Sequence, residues 1–180
     1  MTENRLDDMV IRRAEAADAP AVLHLFDEVI AWFVAIGNRE QWGTEPWSTQ
    51  ESRVKRVTEA CSLPGAWIAE HPRLGVCGAL VLGEAMPYVP VATEPELYVR
   101  LLISSRDPGA RGIGRRLLAF ADNESRAAGL DRLRVDCYGG GTGALVRFYE
   151  SCGYERLQHI DVEGWPCQVL GRTLEASSTT

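Results

Sequence analysis

The chain reads as one mixed α/β domain, and three observations lead there. Its 180 residues suit a single hydrophobic core, since a chain of this size buries about 70% of the surface it exposes when unfolded. Hydrophobic residues make up 46% and charged residues 24%, the balance of an ordinary globule. Short β-type runs alternate with longer stretches of helical period in the order β-α-α-β-β-β-α-β-α-β-β, with no internal repeat or linker.

Residues 1–8 form a polar tail, and Met9 to Arg12 a short first strand. Asp18 is the expected N-cap of a helix through Ile36, whose stripe of Val22, Phe26, Val29, Ile30 and Phe33 recurs at helical spacing and should face the core. His24 lies off that stripe and is expected at the surface. Gly37 to Trp47 then breaks the period. Its two tryptophans, Trp42 and Trp47, suit packing better than a ligand box, because aromatics bury large area. Ser48 to Glu51 spells a capping box, S-T-Q-E, opening a second helix to about Cys61.

Ala66 to Glu70 and Val76 to Leu82 read as an antiparallel hairpin. Gly83 to Pro95 holds three prolines and little periodicity, a loop placed to serve as a substrate rim. Glu96 to Ile103 is the central strand. A helix follows from Ile113 to about Ala128, closed by Gly129. Leu133 to Cys137 is the next strand, and GGGTG at Gly139 to Gly143 leads into a helix from Ala144 to Cys152. Glu155 to Val162 and Cys167 to Leu174 pair as a last hairpin, and a tail from Glu175 to Thr180 is expected to be disordered.

Charge and cysteine usage narrow the functional classes. A net charge of −6 disfavours nonspecific nucleic-acid or membrane binding and attracts small cations. No apolar run is long enough to cross a membrane, and Met1 to Asp8 is too polar for a signal peptide. The five cysteines, Cys61, Cys77, Cys137, Cys152 and Cys167, show no C-x-x-C pair, which points to reduced thiols in a cytoplasm and to no metal site.

The stretch LLISSRDPGARGIGRRLL, Leu101 to Leu118, joins a strand to a helix through a loop rich in glycine and arginine. A helix start presents amides and a partial positive charge to anions. Gly109, Gly112 and Gly114 allow close approach, with Arg106, Arg111, Arg115 and Arg116 around them, so a polyphosphate ligand is expected. The same residues also suit a tight loop beside a solvated basic helix face. No Lys-Ser or Lys-Thr follows as a P-loop requires, and the chain is too short for a second dinucleotide-binding half.

GARGIG, Gly109 to Gly114, is similar to the R/Q-x-x-G-x-G/A motif of the GNAT superfamily of acyl-coenzyme A dependent N-acyltransferases. LVRFYESCGY, Leu145 to Tyr154, resembles that family's helix ending in Y-x-x-x-G-F/Y. The element order matches as well, so the resemblance covers nearly the whole chain. It implies a mixed, mostly antiparallel central sheet flanked by helices, here over residues 9–174. It also implies acetyl-coenzyme A as co-substrate, with no metal. The coenzyme's arm would lie along Leu102, Ile103 and Ser104, where a backbone amide polarises the thioester carbonyl. Its pyrophosphate would meet Gly109, Arg111, Gly112, Ile113, Gly114 and Arg115. There are departures: Gly109 replaces the usual Arg or Gln, the loop is one residue longer, and Thr142 stands where many relatives carry Asn beside the arm.

Tyr149 matches the family's general acid and also touches the coenzyme. A phenol with an ordinary pKa near 10 stays protonated at neutral pH and can donate to the departing sulfur. Glu96, with Asp136 and Glu84 as other choices, is the expected base. Arg100, near a position where some relatives carry His, could bind a substrate carboxylate, and Trp42 could border the acceptor. The function expected is acetyl transfer by direct attack of a primary amine on a small, cationic molecule, by a monomer or homodimer that binds neither nucleic acid nor membrane. A coenzyme-binding sensor without turnover and a protein N-acetyltransferase are the alternatives.

Overall fold

The computed structural model describes residues 6–176. The expected terminal tails therefore fall partly outside the described residues, at 1–5 and 177–180. The elements are β1 (Val10–Arg13), α1 (Ala19–Ala35), α2 (Glu51–Cys61), β2 (Ala66–His71), β3 (Gly75–Gly83), β4 (Leu97–Ser104), α3 (Ile113–Ala127), β5 (Arg132–Tyr138), α4 (Ala144–Ser151), β6 (Glu155–Val162) and β7 (Trp165–Thr173). This is the order expected from the sequence. The seven strands form one mostly antiparallel sheet in the order β1-β2-β3-β4-β5-β7-β6. The chain packs as two compact units, one holding the chain up to Val81 together with Leu101–Leu117, the other holding Leu82–Arg100 and the chain from Leu118.

In the first unit, β1, β2 and β3 pair antiparallel, Arg12 opposite Ile68 and Ile68 opposite Ala79. The expected stripe of α1 is buried in full, and Val22, Phe26, Val29, Ile30 and Phe33 pack with Trp47, Val57, Ile68 and Ile103. His24 is exposed at the opposite side of the helix. Trp47 stacks on Phe26 with ring centroids 4.2 Å apart, and Trp42 leans on Phe26 at 5.2 Å and Phe33 at 5.5 Å. The aromatics of the glycine-broken loop thus extend the core, because the loop offers them an apolar wall and no other way to leave water.

Two caps expected from sequence are not formed. Asp18 precedes α1 but makes no side-chain cap bond. Its carboxylate instead takes Arg12 at 2.8 and 3.0 Å and the Glu15 amide at 2.8 Å, and a guanidinium outcompetes helix amides for a carboxylate. The S-T-Q-E box is also absent, since Trp47–Thr49 winds as a 3₁₀ turn and α2 starts at Glu51 after Gln50. Burial of Trp47 tightens the turn there. Thr49 Oγ1 donates to the Pro46 carbonyl at 2.8 Å, and the Ser48 amide turns to Asp27.

Ahead of β1, Leu6 is buried and Gly112 lies close beneath it. α3 begins against β3, where Gly78 leaves no room for a side chain: a Cβ there would stand 2.8 Å from Ile113 Cγ2 and 3.0 Å from Leu117 Cδ1.

In the second unit, β4 and β5 run parallel with Leu97–Val99 against Leu133–Val135. β5 then pairs antiparallel along its length with β7, and β7 with β6. Glu163 and Gly164 join the last two strands, both with positive φ, 53° and 86°, the two-residue turn that suits the twist of a hairpin. The rim loop after β3 is pinned at its middle by Val89, buried with Tyr98 and Val169.

Candidate active site

The first unit carries the expected coenzyme loop. Ile103 is buried in the core, while Leu102 and Ser104 alternate to the other side of β4 and are half-buried. The Ser105 amide still bonds the Cys77 carbonyl at 2.9 Å, so β4 stays tied to β3 up to the turn. Asp107 then accepts the Gly109 amide at 2.7 Å and Pro108–Ala110 makes a 3₁₀ turn. Gly109 thus lies in the approach to the turn, its amide spent on an internal bond.

Gly112 has φ +95°, a backbone shape that favours glycine. The first bond of α3 runs from the Arg116 amide to the Gly112 carbonyl at 3.1 Å, so the helix itself does not use the amides of Ile113 and Gly114. Gly112 and Arg111 are exposed. A diphosphate fits such a place, with open backbone, a helix start and no Cβ in the way.

The arginines divide. Arg116 donates to the Leu6 carbonyl at 2.6 Å and pairs with Asp7 at 3.5 Å. Arg106 lies over the Trp32 ring at 3.7 Å. Both are committed within the protein, whereas Arg111 stands exposed at the turn. Glu28, which the sequence reading did not single out, braces the loop by accepting Ser105 Oγ at 3.2 Å.

The second unit carries the rest. Tyr149 sits on the inner side of α4, 5% exposed, edge-on to Phe148 and Tyr154 at 5.3 and 5.8 Å. Burial pushes its phenol well above the usual tyrosine range, and Cys137, Tyr154, Asp136 and Cys152 push the same way. The hydroxyl therefore keeps its proton at any physiological pH. α4 itself is preceded by Gly143 at φ 72°, and Arg147 secures the turn by donating to the Thr142 carbonyl at 2.7 Å. Thr142 is exposed.

β4 and β5 present two acidic groups in succession, because side chains two apart share a strand face. Glu96 is held by Arg134 through two bonds, 2.5 and 2.7 Å, with both side chains nearly buried. One step along, Tyr98 donates to Asp136 Oδ1 at 2.5 Å, and Tyr88 from the rim loop donates to Oδ2 at 3.0 Å. Glu84 is exposed on the rim, and exposed Arg100 lays its alkyl chain across Gly83. The sequence reading had named Asp136 but not its two tyrosines.

The first unit thus offers a strand, a glycine turn and a helix start open to an anion, and the second a buried phenol on a later helix. No sequence-family profile matches the chain. Over 149 residues it is 33% identical to the human (Homo sapiens) protein named Probable N-acetyltransferase 14, a match covering 78% of this chain and 59% of that relative. The chain therefore spans less than two thirds of the length of the curated relatives it matches.

Among solved structures, a GNAT-family acetyltransferase from Listeria monocytogenes superposes with a TM-score of 0.64 at 15% identity, covering 92% of this chain and 95% of that one. A Salmonella typhimurium protein assigned as an acetyltransferase, solved with acetyl-coenzyme A, gives 0.60 at 17% identity, covering 96% and 98%. The sheet and helix order of the chain are those of the GNAT acetyltransferase fold.

Proposed function

We propose that the chain transfers an acetyl group from acetyl-coenzyme A to the primary amine of a small cationic molecule by direct attack. The observation that carries this is Tyr149, a phenol buried, held in its protonated form and placed on the family's motif helix. When bound, the thioester supplies an activated acyl group. The neutral amine would form the new C–N bond as the C–S bond breaks, Tyr149 would give its proton to the sulfur, and the proton shed by the nitrogen would pass to water, from which Tyr149 is reprotonated. Arg111, Gly112, Ile113, Gly114 and Arg115 are assigned to the diphosphate, and Gly109 to shaping the turn. Leu102, Ile103 and Ser104 are assigned to the coenzyme's arm, with Thr142 offering a hydroxyl.

Glu96 is reassigned. Both its oxygens are taken by Arg134, and an occupied, nearly buried ion pair is a poor proton acceptor. Trp42 spends its ring on Phe26, Phe33 and Trp47 and is left out of the acceptor site. The net charge of −6 supports a cationic acceptor, and the free thiols support a reducing compartment, for which we propose the cytoplasm. Among the described residues no helix is long and apolar enough to cross a membrane.

The test is thiol release from acetyl-coenzyme A across a panel of amines. Tyr149→Phe should lower kcat by about 100-fold while coenzyme A still binds. Tight coenzyme binding with no turnover on any amine would replace this reading with a coenzyme-binding sensor.

A further inference from the structure

Asp136 differs from the other well-buried acids of its unit in what surrounds it. Glu96 has Arg134 and Asp122 has Arg172 at 3.0 Å. Asp136 has three neutral donors: Tyr98 at 2.5 Å on Oδ1, and on Oδ2 Tyr88 at 3.0 Å and the Cys167 thiol at 3.5 Å. Among the described residues no lysine or arginine pairs with it. A half-buried carboxylate bonded only by neutral donors has no cation of the protein beside it, which leaves it open to a cation from outside.

Its two oxygens face different surroundings. Tyr98, 0% exposed, fixes Oδ1 from the core, whereas Tyr88 is 41% exposed. Tyr88 is nevertheless held in place. The next residue, Val89, is buried against Tyr98 and Val169, its amide closes a turn onto the Met86 carbonyl at 3.0 Å, and Arg134 grips the Pro90 carbonyl at 2.9 Å. The hydroxyl of Tyr88 thus caps, from the solvent side, the oxygen an incoming donor would reach first.

We infer that Asp136 is the seat of the acceptor's primary ammonium group, with Tyr98 holding Oδ1 and Tyr88 acting as a displaceable cap on Oδ2 that an N–H of the acceptor replaces. The ligand class is a primary alkylammonium ion. The role in acetyl transfer rests on the function proposed above, but the binding does not. The helix α4 that carries Tyr149 packs against β5, which carries Asp136, so an amine seated there lies beside the element of the proposed acid.

The test is direct binding of n-butylammonium chloride against n-butanol at matched ionic strength, followed by NMR titration of the full chain. The variants are Asp136→Asn, which keeps an acceptor oxygen for Tyr98, and Tyr88→Phe, with coenzyme A affinity measured in parallel. The parent should prefer the ammonium by about tenfold or more. Asp136→Asn should lose that preference, and Tyr88→Phe should bind the ammonium more tightly with the alcohol unchanged. No preference in the parent, or one that Asp136→Asn retains, overturns the seat. Should Asp136→Asn not fold, Tyr88→Phe decides, and ammonium affinity no tighter than the parent's overturns the proposal. Loss of the preference in Asp136→Asn in a chain that neither binds coenzyme A nor turns over keeps the seat and removes the acetyltransferase reading. Turnover with a preference that Asp136→Asn leaves intact removes the seat alone.

Discussion

The Glu96–Arg134 and Tyr98–Asp136 contacts follow one another along β4 and β5, and these partners give the two acids opposite uses. The two-pronged contact with Glu96 raises the Arg134 guanidinium's affinity for its proton, and the pair also carries the rim loop through the Pro90 carbonyl. Removing the cation leaves a nearly buried carboxylate with no compensation, so Arg134→Met should cost about 3–5 kcal/mol in urea unfolding. Glu96→Gln, which keeps an acceptor oxygen for the guanidinium, should cost less and leave kcat unchanged. A large loss of kcat with stability intact would return the base role to Glu96. The cross-strand pairs were legible in principle, since E-x-Y at Glu96 and R-x-D at Arg134 place matching groups on one face of parallel neighbours. The place of Tyr149 on a helix after β5 was legible from its motif. Tyr88 was not, because a proline-rich loop has no period from which direction can be read; its position is set by Val89 going into the core.

The elements were nearly all legible, because their signals are local: helical stripes, runs of β-branched residues, and glycines at turns. The failures were the two caps, where a polar side chain had more than one partner within reach. Asp18 found Arg12, and the Ser48 segment was bent by Trp47. Close contact between elements was also hidden, as at Gly78, where bare backbone lets α3 settle on β3. Gly78→Val forces a branched side chain into Ile113 and Leu117 and should cost about 1–3 kcal/mol of stability. Because the displaced residues begin the helix of the proposed diphosphate turn, coenzyme A binding should weaken along with it. A stable variant with full coenzyme affinity would show that the turn is set by its own backbone.

For the molecule as a whole, the thiols report packing. Burial pushes Cys61 and Cys77 up to about 11 and Cys137 up to about 12, from an ordinary value of 9.0. A thiol harder to ionise in the folded than in the unfolded state favours folding below its ordinary range. That contribution is lost as pH rises through the folded values. Urea midpoints should therefore fall between about pH 9 and 12. At pH 7.5 these three thiols should resist iodoacetamide in the native protein and react after unfolding, as read by intact mass. Half-buried Cys152 should be modified first. The strand order and the two-unit packing were not legible in the sequence, because they are fixed by pairings between residues far apart in the chain. The tryptophans give those units separate optical signatures. Trp32, Trp42, Trp47 and Trp67 all fall in the first unit, and Trp165 alone, ring centroid 5.4 Å from Tyr138, in the second. Intrinsic fluorescence is thus a nearly selective reporter of the unit that carries the coenzyme loop, and replacing Trp165 by Phe would make it wholly so.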